Sequence, residues 1–253
     1  MLRIFIGWCR LESNPLSFEY PSLPADACRR FETFARLLQE HNRRVNLTAI
    51  TDTAAIYRRH FADSLAALPI LADFSRTSTD PQAHSLADLG SGPGLPGLGL
   101  AIARPRWHVT SVEATGKKAR FQQVVVDALH LDNATILSAR AEELAHDPRY
   151  RQSFAVVTAR ALADLRILIE LAAGLLKPAG ILIAWKTAPV EPELDHARSA
   201  LETLALRVES IAPYALPGDD LAASSLRLLV IKKLTPTDPR FPRPFPKLKS
   251  HPL

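Results

Sequence analysis

The feature that most restricts the fold is an alternation of short apolar runs with longer amphipathic ones over residues 85–233. The short runs predict strands, at 86–89, 109–113, 134–137, 154–158, 181–185 and 226–233. The longer runs predict helices, at 95–103, 117–130, 162–176 and 191–206. Strands that alternate with helices favour one parallel sheet with helices on both faces. The sequence therefore predicts a Rossmann-like α/β core.

The segments that flank this core have different patterns. Residues 25–45 repeat apolar side chains at helical spacing, and Thr51 or Asp52 is a suitable N-cap for a second helix that reaches Leu71. A polar, proline-containing stretch from residue 73 to residue 85 predicts a linker. We expect four parts, with bounds 1–24 for an N-terminal extension, 25–73 for a helical segment, 85–233 for the core and 234–253 for an extended, basic, proline-rich tail.

Composition narrows the classes of protein that this chain can belong to. Its 253 residues are 47% hydrophobic and 23% charged, which fits a globular protein. A net charge of +5 favours a polyanionic partner such as a nucleic acid. Two cysteines give neither a disulfide framework nor a metal-ligand cluster, so we expect no metal. No apolar stretch reaches the ~18 residues that cross a membrane, and the apolar opening lacks the features of a signal peptide, so we expect a cytoplasmic protein.

A glycine-rich turn follows the first predicted core strand. Residues 88–97 read Asp-Leu-Gly-Ser-Gly-Pro-Gly-Leu-Pro-Gly. Glycines permit positive φ and a close approach of the backbone to a ligand, and the start of the next helix offers free N–H groups to a carboxylate. Counted from Gly92 the turn fits the dinucleotide pattern G-x-G-x-x-G, and counted from Asp88 it fits acid-x-G-x-G-x-G, which is typical of methyltransferases. There the acid orients the turn or a methionine amino group.

An acidic residue ends the next predicted strand. Glu113 can accept hydrogen bonds from both hydroxyls of a ribose. Nicotinamide dinucleotides and S-adenosylmethionine both carry a ribose, so this residue predicts an adenosine cofactor without separating the two. A glycine turn that binds no ligand is the remaining alternative.

Several short motifs, in order along the chain, accompany the turn. They are Asn46-Leu47-Thr48, Arg59-His60, Asp63-Ser64, Gly116-Lys117-Lys118, Arg120-Phe121, the stretch 140–143 (Arg-Ala-Glu-Glu), Arg160-Ala161 and Lys186. Together with G-[ST]-G-P-G-L-P-G at the turn, this set resembles the RsmG (GidB) family over residues 25–233.

The resemblance implies a fold and a reaction. The fold is a Rossmann-like class I S-adenosylmethionine-dependent methyltransferase, with a mostly parallel twisted sheet and an N-terminal helical extension. The reaction moves a methyl group from S-adenosylmethionine to N7 of a guanine in 16S rRNA, the guanosine at position 527 in the 530 loop. The implied partner is 16S rRNA or the small ribosomal subunit, and the implied state is a monomer.

The resemblance also assigns residues to the cofactor. Gly90 and Leu95 lie against it, Glu113 holds its ribose, Ala141 and Glu142 flank its adenine, and Arg160 faces the cofactor or the target base. Further turn candidates are Asp88, Gly92 and Gly94. Without the resemblance, Glu142 reads as a carboxylate favoured by a helix start and Arg160 as a salt-bridged surface arginine.

No catalytic base is expected. Guanine N7 carries a free in-plane lone pair, so no proton has to be removed before attack, and catalysis depends on alignment and electrostatic preorganisation. Arg160 is a candidate for a positioning role. For His60, Asp63 and Asp164 we favour structural or RNA-positioning roles.

Basic residues supply the candidate RNA contacts. The main candidates are Arg58, Arg59, His60, Lys117, Lys118 and Lys186. Further candidates are Arg43, Arg44, Lys232, Lys233, Arg240, Arg243, Lys247 and Lys249, with Phe241 and Phe245 as stacking residues or as parts of a disordered tail. Each charge is equally well explained as a solvated surface group.

Two other functions fit the same fold. An NAD(P)-dependent oxidoreductase would use the same turn, but the later strands lack the Ser/Tyr/Lys or His/Asp set that it needs. A non-catalytic RNA-binding protein would retain RNA binding without cofactor affinity.

Overall fold

The computed structural model describes residues 7–9, 18–20, 23–24, 26–78, 80 and 82–253. Most of the expected extension 1–24, Ala25 of the expected helical segment, and Thr79 and Pro81 of the expected linker lie outside these residues. Within the extension, the backbone of β1 (Gly7–Cys9) pairs antiparallel with that of β2 (Phe18–Tyr20). No helix in the described part of the chain is long and apolar enough to cross a membrane.

Seven strands form one sheet in the order β5-β4-β3-β6-β7-β9-β8. Strands β3 to β7 run parallel to one another, whereas β9 is antiparallel to both β7 and β8. The mostly parallel α/β sheet is therefore confirmed. The strands are β3 (Ser85–Leu89), β4 (His108–Val112), β5 (Ala134–Leu137), β6 (Phe154–Arg160), β7 (Leu176–Thr187), β8 (Leu206–Pro213) and β9 (Leu226–Lys233).

Helices cover both faces of this sheet. They are α5 (Gly97–Ala103), α6 (Gly116–Leu129), α7 (Ala141–Leu144), α8 (Leu165–Leu175), α9 (Glu191–Thr203) and α10 (Phe245–Ser250). The start predicted at 162 is wrong by three residues, because the Asp164 carboxylate caps α8 by accepting the Arg166 N–H at 2.9 Å. The predicted end of α9 at 206 is also wrong, since the chain enters β8 there.

Alternate residues of the central strands enter two separate cores. Leu86 belongs to the core beneath the N-terminal helices, and its neighbour Ala87 to the core beneath α8 and α9. Successive side chains of a strand point to opposite faces, and a strand buried on both faces reads as a continuous apolar run. This explains why the core strands show no polar alternation.

The N-terminal segment forms a helical layer over one face. It contains α1 (Ala27–Val45), α2 (Thr53–Ile56), a π-helical turn (Tyr57–Ala62), α3 (Asp63–Leu65) and α4 (Leu68–Thr77). Asp52 is the N-cap of α2 and accepts the Ala55 N–H at 2.8 Å. The single helix predicted to Leu71 is wrong, because the π-helical turn and the break before α4 interrupt it. The linker expected from residue 73 begins as helix instead.

Aromatic packing joins this layer to the core. The Phe34 ring lies 5.3 Å from that of Phe61 and 6.4 Å from that of Phe121 on α6. Such tilted ring pairs add to the burial of apolar surface. The layer therefore belongs to the same core as the sheet. Cys28 in α1 is disulfide-bonded, which the cysteine count did not predict.

The C-terminal segment folds onto the core, so the expectation of an extended tail is wrong. Phe241 and Leu248 are buried beside α8. The Lys233 ammonium group is buried and donates to the carbonyl oxygens of Ala173 and Leu176, each at 2.6 Å. Desolvation by burial lowers the pKa of Lys233 to about 7. Lys233 and Phe241 therefore have no surface left for RNA.

One buried ion pair fastens this segment. The Glu170 carboxylate is fully buried in α8 and accepts the Arg243 side chain at Nη2 (2.7 Å) and Nε (2.9 Å) and the Arg243 backbone N–H (2.8 Å). Three charge-assisted bonds satisfy a carboxylate that would be costly to bury alone.

Replacing Arg243 with alanine leaves the Glu170 carboxylate buried in an apolar core without its partner. We expect the variant to lose about 3 kcal/mol of unfolding free energy, as is usual when one partner of a buried pair is removed. Urea unfolding followed by circular dichroism measures this. The exposed Arg198→Ala on α9 is the matched control and should change stability by less than about 0.5 kcal/mol. Equal effects of the two substitutions would contradict the assignment.

Candidate functional site

Three glycines of the turn after β3 have backbone conformations that side chains disfavour. The φ angles are +63° at Gly90, +56° at Gly92 and +96° at Gly94. A Cβ at Gly90 would lie 2.3 Å from Leu162 Cδ1, whereas one at Gly92 would meet nothing within 4 Å. The turn is thus packed on one side and open at Gly92, where a ligand can approach the backbone. Leu95, just beyond, is buried against the core.

A buried carboxylate holds this turn in place. Asp88, the penultimate residue of β3, is fully buried, and its oxygens accept the Gly97 N–H at 2.8 Å and the Thr158 hydroxyl at 2.8 Å. Desolvation by burial raises the pKa of Asp88 to about 7, and the hydrogen bonds from Gly97 and Thr158 oppose the shift. Of the two roles considered for this acid, orienting the turn is the one whose contacts are present.

Gln122 fixes the turn from the side of α6. Its amide nitrogen donates to Ser91 Oγ and to the Gly92 carbonyl, each at 2.8 Å, and its amide oxygen accepts the Ser111 hydroxyl at 2.7 Å. Sequence reasoning missed this residue. A glutamine within an otherwise apolar helix face was the available signal.

Glu113 lies directly after β4, where the resemblance places the ribose. It is almost buried, and its two carboxylate oxygens accept the Gly92 N–H at 2.9 Å and the Thr115 N–H at 2.7 Å. Each carboxylate oxygen can accept a second hydrogen bond. The side chain is therefore rigidly oriented beside the open side of the turn and retains acceptor capacity for hydroxyl groups.

Ala141 and Glu142 begin α7, which follows β5. The Glu142 carboxylate is half-buried and lies 3.7 Å from the Arg140 guanidinium. Because β5 is next to β4 in the sheet, α7 and Glu113 share the carboxyl edge. Open α/β sheets bind ligands at this edge.

Arg160 ends β6 in a polar cluster under the N-terminal layer. Its Nη1 donates to Asp63 Oδ2 at 2.7 Å, and the other Asp63 oxygen accepts the Tyr214 hydroxyl at 2.5 Å. The Trp185 indole N–H donates to the Asp63 carbonyl at 2.9 Å. Arg160 is thus ion-paired, as expected for a salt-bridged arginine. It is also held at the carboxyl edge of the sheet. Tyr214 and Trp185 were not identified from the sequence.

His60 is buried within the π-helical turn. Its Nε2 lies 2.8 Å from the Thr48 hydroxyl, and its Nδ1 has no hydrogen-bond partner. Burial, then the charge of Arg160, lowers the pKa of His60 to about 4, so the ring is neutral at pH 7. This burial removes His60 from the candidate RNA contacts and leaves it a structural role.

The other basic residues considered as RNA contacts fall into two groups, those paired with an acidic residue and those with exposed side chains. Arg58 donates to the Pro217 carbonyl at 3.1 Å and pairs with Asp219, and Lys186 pairs with Glu193. The pairs of Lys232 with Glu209 and Arg240 with Asp238 are looser, at 3.6 Å each. Exposed side chains remain at Arg43, Arg44, Arg59, Lys117, Lys247 and Lys249, and Lys118 is half-buried.

A cavity of about 590 Å³ opens beside Asp63, the partner of Arg160. Arg58, Arg59 and Asp63 line it, together with Leu216, Asp219, Asp220 and residues 223–226. Its volume lies within the range of small-molecule pockets, and its wall carries charges of both signs.

No group of three or more His, Cys, Asp or Glu side chains within the described ranges is placed to hold a metal ion.

Titration of His60 should make stability depend on pH. Its pKa is about 4 in the folded protein and 6.5 ordinarily, so the unfolded chain binds the proton more tightly between these values. Stability is therefore full above about pH 6.5 and falls as the pH drops towards 4. Relative to His60→Gln, we expect the wild type to lose about 3 kcal/mol between pH 7 and pH 4. Parallel curves of unfolding free energy against pH for the two proteins would contradict this.

Comparison with known proteins identifies the family. Residues 27–217 match the GidB family model, described as rRNA small subunit methyltransferase G. "Ribosomal RNA small subunit methyltransferase G" of Roseiflexus castenholzii is 41% identical over 218 residues, 85% of this chain and 88% of the relative. The protein of that name from Bacillus subtilis is 35% identical over 222 residues, 88% and 89% of the two chains. A SAM-dependent O-methyltransferase structure from Thermotoga maritima matches with a TM-score of 0.49 at 16% identity, over 68% of this chain and 66% of that one. The chain therefore belongs to the GidB family, rRNA small subunit methyltransferase G.

Proposed function

We propose that this protein transfers a methyl group from S-adenosylmethionine to N7 of a guanine in 16S rRNA. The family supports the reaction. The main structural support for the cofactor site is the hydrogen bond from the Gly92 N–H to the Glu113 carboxylate. It fixes the proposed ribose acceptor beside the open side of the glycine turn.

The residues at the carboxyl edge fit this cofactor. Gly92 leaves room for a ligand to approach the turn, and Glu113 has acceptor capacity for two hydroxyls. Gly90, Gly94 and Leu95 would shape the methionine side, and Ala141 with Glu142 the adenine side. When bound, S-adenosylmethionine supplies an electrophilic sulfonium methyl group.

The protein's contribution to the reaction is positional. Guanine N7 needs no deprotonation, so alignment of the base is the main requirement. Arg160 can donate to the guanine O6 beside N7, and its pairing with Asp63 prevents the guanidinium from turning away. Tyr214 in turn holds the Asp63 carboxylate. His60 is neutral and only supports the layer that carries Asp63.

RNA would reach this edge across a basic surface. Arg59 is exposed and lines the cavity beside Asp63, and Lys117 is exposed at the start of α6, close to Glu113 in the chain. Cations of this kind neutralise phosphates, and RNA enzymes read bases that are unstacked in loops. The guanosine at position 527 in the 530 loop, either in free 16S rRNA or in the small subunit, is the proposed target. A cytoplasmic monomer is the proposed state.

The sheet argues against the oxidoreductase alternative. Counting the seven strands of the sheet in chain order, their spatial order is 3-2-1-4-5-7-6, with the seventh antiparallel. The dinucleotide-binding fold has the order 3-2-1-4-5-6. The inserted antiparallel strand places the loop that contains Tyr214 next to Asp63.

Transfer of labelled methyl from S-adenosylmethionine to small-subunit particles that lack the modification tests the function. We expect label in 7-methylguanosine, identified by mass after nuclease digestion. Gly90→Arg should abolish transfer, because its side chain meets Leu162 and its φ is positive. Glu202→Ala, exposed on α9, is the control that should retain it.

The alternatives predict other results from that assay. RNA binding without transfer and without cofactor affinity would identify a non-catalytic RNA-binding protein. No transfer together with tight nicotinamide cofactor binding would establish the oxidoreductase.

Asp63→Asn tests the positioning role of Arg160. The neutral amide no longer fixes the guanidinium, so we expect kcat to fall by about ten- to a hundredfold. The Kd for S-adenosylhomocysteine should stay within about twofold, since the partners of the Asp63 carboxylate are Arg160 and Tyr214. Asp195→Asn on α9 is the control. An unchanged kcat would contradict the role, and a matching loss of cofactor binding would indicate a structural one.

A further inference from the structure

The segment after β9 lies outside residues 27–217, which the family model matches, yet it is fixed against α7 and α8. His146, just after α7, places its Nε2 2.7 Å from the Pro242 carbonyl oxygen. Arg151 donates to the Phe241 carbonyl at 2.8 Å, and Arg243 is held by Glu170. These contacts set the position of residues 242–246 relative to α7.

A cavity of about 500 Å³ lies between this segment and α7. One wall consists of polar side chains from the start of α7 and beyond it, namely Arg140, Glu142, Glu143 and His146. The opposite wall consists of Pro242, Arg243, Pro244, Phe245 and Pro246. Small-molecule sites have this size and this combination of an apolar wall with a few polar groups.

The two walls suit a flat heteroaromatic ring that carries an amino group. Phe245 is half-buried, and the exposed Arg140 guanidinium lies 5.8 Å from its ring centroid, so a flat group already packs there. Carboxylates at Glu142 and Glu143 can accept hydrogen bonds from an amino group in the cavity. Adenine meets both requirements, and the two arginines of the lining are already paired, Arg140 with Glu142 and Arg243 with Glu170.

The cavity also has the right place in the sheet. It opens at the start of α7, which follows β5, and β5 is next to β4, whose end carries Glu113. The family resemblance puts the adenine beside Ala141 and Glu142. We propose that residues 242–246 form a wall of the adenine subsite of S-adenosylmethionine, with the adenine stacked on Phe245 in place of the Arg140 guanidinium. This rests on the proposed function.

Binding of S-adenosylhomocysteine by calorimetry tests the wall without any turnover. Aromatic–base stacking predicts that Phe245→Ala raises Kd about five- to tenfold. Phe245→Leu keeps an apolar side chain for packing but cannot stack, so its Kd should also rise, and Phe245→Tyr should bind like the wild type. Thermal unfolding of each variant checks that the segment remains folded.

A tryptophan probe reports the contact directly. In Phe245→Trp, the stacked adenine should quench the new indole when S-adenosylhomocysteine is added, beyond any change seen in the wild type. Ser250→Trp, exposed on α10 in the same segment, is the matched control and should show no added quenching.

The outcomes separate this proposal from the function on which it rests. The adenine wall is overturned if the wild type binds, the Kd is unchanged in both Phe245→Ala and Phe245→Leu, and Phe245→Trp is not quenched. The proposed methyltransferase function would then be unaffected. Absence of S-adenosylhomocysteine binding by the wild type overturns both. A raised Kd in both variants with quenching confined to Phe245→Trp supports the wall.

Discussion

The pair of hydrogen bonds accepted by Asp88 is the constraint on which the site depends. A carboxylate with no exposed surface is costly, and its pKa of about 7 expresses that cost. Through these two hydrogen bonds, the Asp88 side chain joins Gly97 of the glycine turn to Thr158 of the neighbouring strand β6. Residues 90–92 of the turn carry no apolar side chain, although Leu95 further along is buried against the core. The turn's open conformation at Gly92 therefore derives from buried polar contacts.

The second dependence is between the sheet and the N-terminal layer. Asp63 comes from that layer, Arg160 from β6 and Tyr214 from the chain just after β8, and they meet in one cluster. Each charge or hydroxyl satisfies another, and the side chains are largely buried, so such bonds are stronger than at a surface. The layer thus sets the direction of the arginine that we propose to face the substrate, and it is part of the proposed site as well as of the core.

Local patterns in the sequence were sufficient for the parallel strands, for the glycine turn and for the acid at Glu113. These features depend on residues within about ten positions of one another. The strand β8 was missed because its alternation, Leu206 to Val208, is interrupted by a register shift before Ser210. No local pattern signals that shift.

The remaining misses involve contacts between residues far apart in the chain. Arg243 meets Glu170 across 73 residues, and Tyr214 meets Asp63 across 151. The proline-rich composition of the C-terminal segment suggested an extended tail, because composition does not show that Arg243 has a buried carboxylate as its partner. The signal present in the sequence was Glu170 itself, a charged residue on the apolar face of a helix.

The pairing of Glu170 with Arg243 bears on how the protein is made. Helix α8 is synthesised well before residue 243, so during translation its carboxylate faces an apolar core with no counter-charge. The nascent domain cannot close that side until the residues beyond 240 have left the ribosomal tunnel. Docking of this segment therefore cannot begin until the 73 residues after Glu170 have been synthesised, and the side of the sheet under α8 stays incomplete until then.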